Sequence, residues 1–307
     1  MTAYNRDMRR FARFAWGVLA FNLLVILWGA LVRASRSGEG CGDHWPLCNG
    51  VVVPHAAQIA TVIEFTHRVT TGVAFVSVVV MAVWAFLEYR HSRVWPAAAA
   101  SLVLIVTEAL LGAGLVLFKF VGTDASAGRV VYLSAHLTNT LLMLAAMTLT
   151  AWWASGERKL EWPGSIGKAP VKAIAAALAI AVTGTITALS DTLFPVYSLR
   201  LGIAADLTPA SPLLLKLRIL HPVVAVVAAA FILFAISRMD HPPRLRRTVI
   251  LLVGAELTAG LFNLLLLAPI WMQLVHLLLA DLLWIALVLL TVEALENSPA
   301  VARAQSG

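Results

Sequence analysis

The sequence predicts an all-α polytopic membrane protein: eight transmembrane helices arranged as two pseudo-symmetric four-helix bundles. Three observations predict it. The 307-residue chain is 60% hydrophobic and only 13% charged, where a soluble domain averages about 25% charged residues. Its apolar residues recur in charge-poor runs of roughly 20, each able to cross a ~30 Å hydrocarbon core as a helix. Those runs are continuous rather than alternating, which argues against a transmembrane β-barrel. The net charge of +7 therefore reports membrane orientation first, and no nucleic-acid partner is expected.

The spans are expected near residues 11–33, 58–88, 94–118, 129–153, 170–190, 212–237, 246–267 and 269–293. Arg6, Arg9, Arg10 and Arg13 precede the first, which resembles the start of a signal peptide. Its apolar stretch, about Phe14 to Val32, exceeds the 7–15 residues of a signal core, so it reads as an anchor. Gly, Pro and charged residues mark the joints. Ser211 is expected to cap the sixth span, with Pro212 at its first helical position. Pro222 cannot donate to the carbonyl of Arg218, which predicts a kink there. Pro269 opens the last span after a short turn, and the polar tail from Asn297 is expected to be disordered.

With the N-terminus inside, the inner segments hold fifteen Arg and Lys residues, including Arg158, Lys159, Arg238 and Arg303. The outer side holds eight: Arg33, Arg36, Arg68, Lys119, Arg129, Arg200, Lys216 and Arg218. The bias predicts a cell-membrane protein with both termini cytoplasmic.

The halves repeat one another. Glu108 and Gly112 in the third span match Glu256 and Gly260 in the seventh. His67 matches His221, and His136 matches His276. Residues 1–160 and 161–307 are thus expected to be duplicated four-helix halves in parallel orientation.

Eight histidines divide cleanly. His44, His55, His91 and His241 fall in loops. His67, His136, His221 and His276 fall in the even-numbered spans, about 6–9 residues past their predicted starts, or roughly 9–14 Å deep. Ionisable groups inside a membrane are costly and usually functional. A lone histidine there reads equally well as a packing residue; four in one depth band and two matched pairs read as ligands. Zinc wants a compact tetrahedral set. Haem iron takes axial imidazoles from opposite faces of a flat apolar ring. The pattern predicts haem iron held by His67 with His136 and by His221 with His276. Arg68, Lys216 and Arg218 are candidates to meet its propionates or support the sites.

The halves differ three residues before the even-span histidines: Glu64 precedes His67 and Arg218 precedes His221. Spacing of i, i+3 places both side chains on one helix face. An acid beside a ligand is a candidate proton acceptor; the plainer reading makes Glu64 the partner of Arg68. Glu108 and Glu256 fit a proton path or interhelical hydrogen bonds, and Asp281 has no assigned role. Cys41 and Cys48 are the only cysteines. They fit a disulfide staple, a thiol pair exchanging electrons, or a metal site with His44.

Together these residues resemble the haem A synthase family. The likeness covers nearly the whole chain. It rests on Glu64-x-x-His67-Arg68, on the other three span histidines, and on Leu31-Val32-Arg33 leading to Cys41-Gly-Asp-His-Trp-Pro-Leu-Cys48-Asn-Gly. The resemblance implies oxidation of the C8 methyl of haem O to the formyl of haem A, for cytochrome oxidase. It implies a haem b cofactor on His221 and His276, substrate haem on His67 and His136, a catalytic role for Glu64, and a pair formed by Cys41 and Cys48. Haem O synthase and oxidase assembly factors are implied partners, alongside membrane lipid; oligomerisation is left open. Two departures stand out. Residues 191–211 lack the second cysteine pair of some bacterial members, and Asn49 replaces a common histidine. Competing readings are a dihaem b-type quinol-linked electron carrier and a haem or metal transporter.

Overall fold

The computed structural model describes residues 3–55, 58–156, 168–237 and 243–296. His241, Arg158, Lys159, Arg238, Arg303 and the tail from Asn297 lie outside the described residues. The described residues form ten helices: α1 (Ala3–Ala34), α2 (Ile59–Tyr89), α3 (Val94–Leu117), α4 (Ala127–Ala154), α5 (Lys168–Leu193), α6 (Leu199–Leu207), α7 (Leu213–Arg218), α8 (Leu220–Ser237), α9 (Pro243–Leu265) and α10 (Ile270–Glu296). Eight segments are long and apolar enough to cross a membrane, with α7 and α8 together making the sixth. The chain is a multi-pass membrane protein.

Two expectations change in detail. The sixth span starts on Pro212 as the cap, with no side-chain hydrogen bond, so Ser211 is not the cap. The short helix α6 was not foreseen, because nine residues between spans carry too little periodicity to distinguish them from a loop. The proline kink is present as a break between α7 and α8 at Ile219. The Arg218 carbonyl, which Pro222 cannot engage, accepts from the Thr187 hydroxyl of α5 at 3.3 Å. Breaks at membrane depth persist when a neighbouring helix satisfies the freed group in this way.

Helix α1 packs on α2 and α4, α2 on α3, and α3 on α4; likewise α5 packs on α8 and α10, α8 on α9, and α9 on α10. Two apolar cores follow these contacts. The first draws on α1–α4 and includes Phe11, Met81, Leu144 and Met147. The second joins α5, α8, α9 and α10 around Ile232, Ile236, Val249 and Leu287. Helix α10 belongs to both, since Trp284, Ile285 and Val288 enter the first core.

Lipid is as apolar as leucine, so burial alone does not hold such helices together; small residues and interhelical hydrogen bonds do. Ala15, Ala74, Ala82, Ala85, Ala98 and Ala151 are accordingly buried at the contacts. The Trp284 indole N–H donates to the Leu141 carbonyl at 2.7 Å, tying α10 to α4. Valines along the opposite face of α2, including Val69, Val73, Val76 and Val80, remain exposed for lipid.

Candidate functional site: paired imidazoles

The four span histidines sit six to nine residues into their spans, as expected. His221 and His276 face each other, with ring centroids 6.3 Å apart and planes crossing at 68°. Metal–imidazole nitrogen bonds are about 2 Å, which places two rings on one metal ion roughly 6 Å apart between centroids. The couple therefore fits a single iron between the rings. His67 and His136 occupy the matching positions on α2 and α4, each against a glycine of the preceding span. Among the described residues no group of three or more His, Cys, Asp or Glu has a metal-holding arrangement.

Each imidazole lies on a glycine of the preceding odd span. A Cβ on Gly29 would stand 3.0 Å from His67 Cε1; on Gly112, 3.8 Å from His136; on Gly184, 3.1 Å from His221; on Gly260, 3.2 Å from His276. The sequence pattern exposed Gly112 and Gly260 but not Gly29 and Gly184. At Gly29, Gly184 and Gly260 the absent side chain is what lets the ring lie so close to the neighbouring backbone, whereas Gly112 leaves ordinary contact distance.

The carboxylates Glu108 and Glu256 prove to be partners of these rings. Glu108 Oε1 is 3.3 Å from His136 Nδ1, and Glu256 Oε1 is 3.1 Å from His276 Nδ1. Both contacts are within ion-pair range but off hydrogen-bond alignment. Glu108 is held in turn by Asn139 Nδ2 at 2.6 Å and by the Thr140 hydroxyl. His221 Nδ1 meets the Thr183 hydroxyl at 3.2 Å. His67 Nδ1 is sealed from solvent and has no partner among the described residues. Asp281 is wholly buried on α10, and among the described residues neither of its oxygens has a hydrogen-bond partner.

Glu64, 4% exposed, joins the histidine helix to the first outer loop. Its Oε2 accepts from the Cys41 backbone N–H at 2.8 Å, and its Oε1 from Arg68. Cys41 and Cys48 are disulfide-bonded. The loop is pressed onto the first turn of α2: Gly40 has Ala60 and Thr61 backbone within 2.6 Å of where a Cβ would be. The Thr61 hydroxyl donates to the Gly40 carbonyl at 2.7 Å. On the loop's far side Lys119 pairs with Asp43 at 2.7 Å, and that contact raises the ammonium's pKa.

The candidate propionate partners are already engaged. Arg68 donates to Glu64 and to the carbonyls of His44 and Leu47. Arg218 pairs with Asp191 at 3.1 Å and with Asp206 at 2.6 Å. Lys216 donates to the Pro209 carbonyl. Helix α6 thus has a purpose: it delivers Asp206 to Arg218. Neither Asp191 nor Asp206 was singled out from the sequence, because their partner lies 27 and 12 residues away.

The likeness to known proteins agrees with this geometry. The family model for COX15-CtaA, cytochrome oxidase assembly protein, matches residues 12–288. A Thermus thermophilus protein named protoheme IX farnesyltransferase is 45% identical over 299 residues, which is 94% of this chain and 49% of that protein. The chain thus spans about half the length of that relative. Heme A synthase of Alkalihalophilus pseudofirmus is 44% identical over 97 residues, covering 31% of this chain and 33% of the relative. Heme A synthase of Bacillus mycoides is 40% identical over 113 residues, 36% of each. With a match running through six complete spans and most of the first and eighth, the chain belongs to the COX15-CtaA family of cytochrome oxidase assembly proteins.

Proposed function

We propose that this protein is a haem A synthase, oxidising the C8 methyl of haem O to a formyl group in two successive two-electron steps. The observation that carries the reading is the facing couple His221–His276 at 6.3 Å; His67 and His136 hold the matching sequence positions, with the acid Glu64 added. Residues 1–160 form the substrate half, with His67 and His136 as ligands of haem O. Residues 161–307 form the cofactor half, with His221 and His276 holding haem b. When bound, that haem supplies the redox chemistry that carries electrons away from the substrate half.

The chain's own residues position and protect. Glu64 stands three residues before His67, and both its oxygens are held by donors, so its carboxylate is fixed at the mouth of the substrate couple. It is the proton acceptor as the methyl carbon is oxidised. Arg218 occupies the same place in the other half and is neutralised by Asp191 and Asp206. That half has an internal ion-pair network where the first has a base, which suits retention rather than reaction. Arg68, Arg218 and Lys216 support the two mouths through these protein contacts. The disulfide loop and Arg68 cover Glu64 from water.

The excess of basic residues in the inner segments supports a cell-membrane protein with both termini cytoplasmic. Haem O synthase is the fitting donor of substrate and oxidase assembly the destination of product. The farnesyl transfer in the name of the Thermus relative belongs, on this reading, to the part of that protein this chain does not match. The test is expression with a haem O source followed by pigment extraction. Haem A is expected; only haem B and haem O from protein shown to be folded would refute the proposal. Glu64→Gln separates the alternatives, since it stops methyl oxidation and leaves simple electron carriage or haem transport intact.

A further inference from the structure

We propose that His67 is the releasable ligand of the substrate couple and His136 its anchor. The observation is at Nδ1. His136, His221 and His276 each have an oxygen within 3.3 Å of that atom: Glu108, Thr183 and Glu256. His67 Nδ1, His136 Nδ1 and His276 Nδ1 are all sealed from solvent without an aligned hydrogen bond, but His67 alone of these three has no carboxylate oxygen at ion-pair distance among the described residues. A ligating imidazole ordinarily engages an acceptor through its second nitrogen, which fixes the ring and strengthens the metal bond; losing that partner typically costs 10–100-fold in affinity.

The difference has a local cause. The residue before the glycine floor is Thr183 ahead of Gly184 in α5 and Trp28 ahead of Gly29 in α1. Thr183 reaches His221. The Trp28 indole N–H turns away and donates to the Ile63 carbonyl at 2.9 Å. All four rings rest on glycine, so the floor does not distinguish them; the polar neighbour at Nδ1 does. A substrate couple must admit one haem and release another, whereas a cofactor couple must hold. A couple with a carboxylate beside only one ring meets the first need; a couple with a hydroxyl bonded to one ring and a carboxylate beside the other meets the second.

This inference rests on the haem assignment above, and carbon monoxide separates the two. The probe adds to a reduced haem only where an axial imidazole leaves. In full-length protein carrying both haems, reduced with dithionite, carbon monoxide is expected to bind one haem of the two. His67→Ala should give the same adduct spectrum without the slow ligand-release phase. Trp28→Thr, which places a hydroxyl where Thr183 stands in the other half, should slow that phase about tenfold or more. Thr183→Val, an independent variant if Trp28→Thr fails to fold, should make the second haem reactive. Carbon monoxide binding neither haem, or only the His221–His276 haem, overturns the inference. Folded protein without a bis-imidazole spectrum overturns the haem assignment instead.

Discussion

Arg33 is the residue whose removal should do most damage for its distance from the imidazoles. It leaves the end of α1 and reaches into the second half. Its Nη1 donates to the Ala188 carbonyl and the Thr192 hydroxyl, each at 2.6 Å, and its Nη2 to Gln273 Oε1 at 2.9 Å. Arg36 continues the seam by donating to the Thr192 and Leu193 carbonyls in the last turn of α5. A cation at a helix C-terminus is favoured by the unpaired carbonyls and the dipole. Arg33→Ala removes three charge-assisted bonds at once. In water such bonds are worth about 1.5–3 kcal/mol each, but interhelical bonds in membrane proteins average nearer 0.6 kcal/mol because the unfolded chain finds other partners. Taking about 0.6–1 kcal/mol for each of the three gives roughly 2–3 kcal/mol. Equilibrium unfolding in mixed detergent–SDS micelles measures the loss. Arg33→Lys keeps the charge but not the fork, so it should recover less than half. A variant within about 0.5 kcal/mol of wild type, or full rescue by lysine, would refute the assignment of this residue as the strut between halves.

Gly40→Ala should lift the disulfide loop from α2, because the new Cβ meets backbone that has no freedom to move; faster reduction of Cys41–Cys48 by a membrane-impermeant thiol is the readout. Thr187→Val should cost about 1 kcal/mol by leaving the Arg218 carbonyl unpaired. The same change in a Pro222→Ala background should cost less, since the restored N–H at 222 takes that carbonyl, so a double-mutant cycle that proves additive would contradict the account of the kink. The exposed Lys119–Asp43 pair should contribute little, and Lys119→Met is expected to leave the melting temperature at pH 7 unchanged. Because the Lys119 pKa is raised in the fold, any contribution is present below the ordinary lysine range and lost as pH rises through the folded value.

Much of this protein was legible in its sequence because the governing signals are local. Span lengths follow from hydropathy, and the sixth-span break follows from Pro222 alone. The depth of the four histidines follows from counting residues along helices. The duplication was read from matched Glu, Gly and His positions, whereas the pairing of Glu108 with His136 and of Glu256 with His276 emerged only from the fold. What the tertiary structure alone decided is where side chains from distant segments meet. Arg33, counted in the sequence only as an outer charge, ties the end of α1 to α5 and α10. Arg68 and Arg218, expected at propionates, are taken up by Glu64, Asp191 and Asp206. Helix α10 serves both cores. The missing polar neighbour at His67 Nδ1 is visible only once Trp28 is seen to turn toward Ile63. Periodicity along one helix states which face is apolar; it carries no term for which helix that face will meet, and a polar partner is chosen by that meeting.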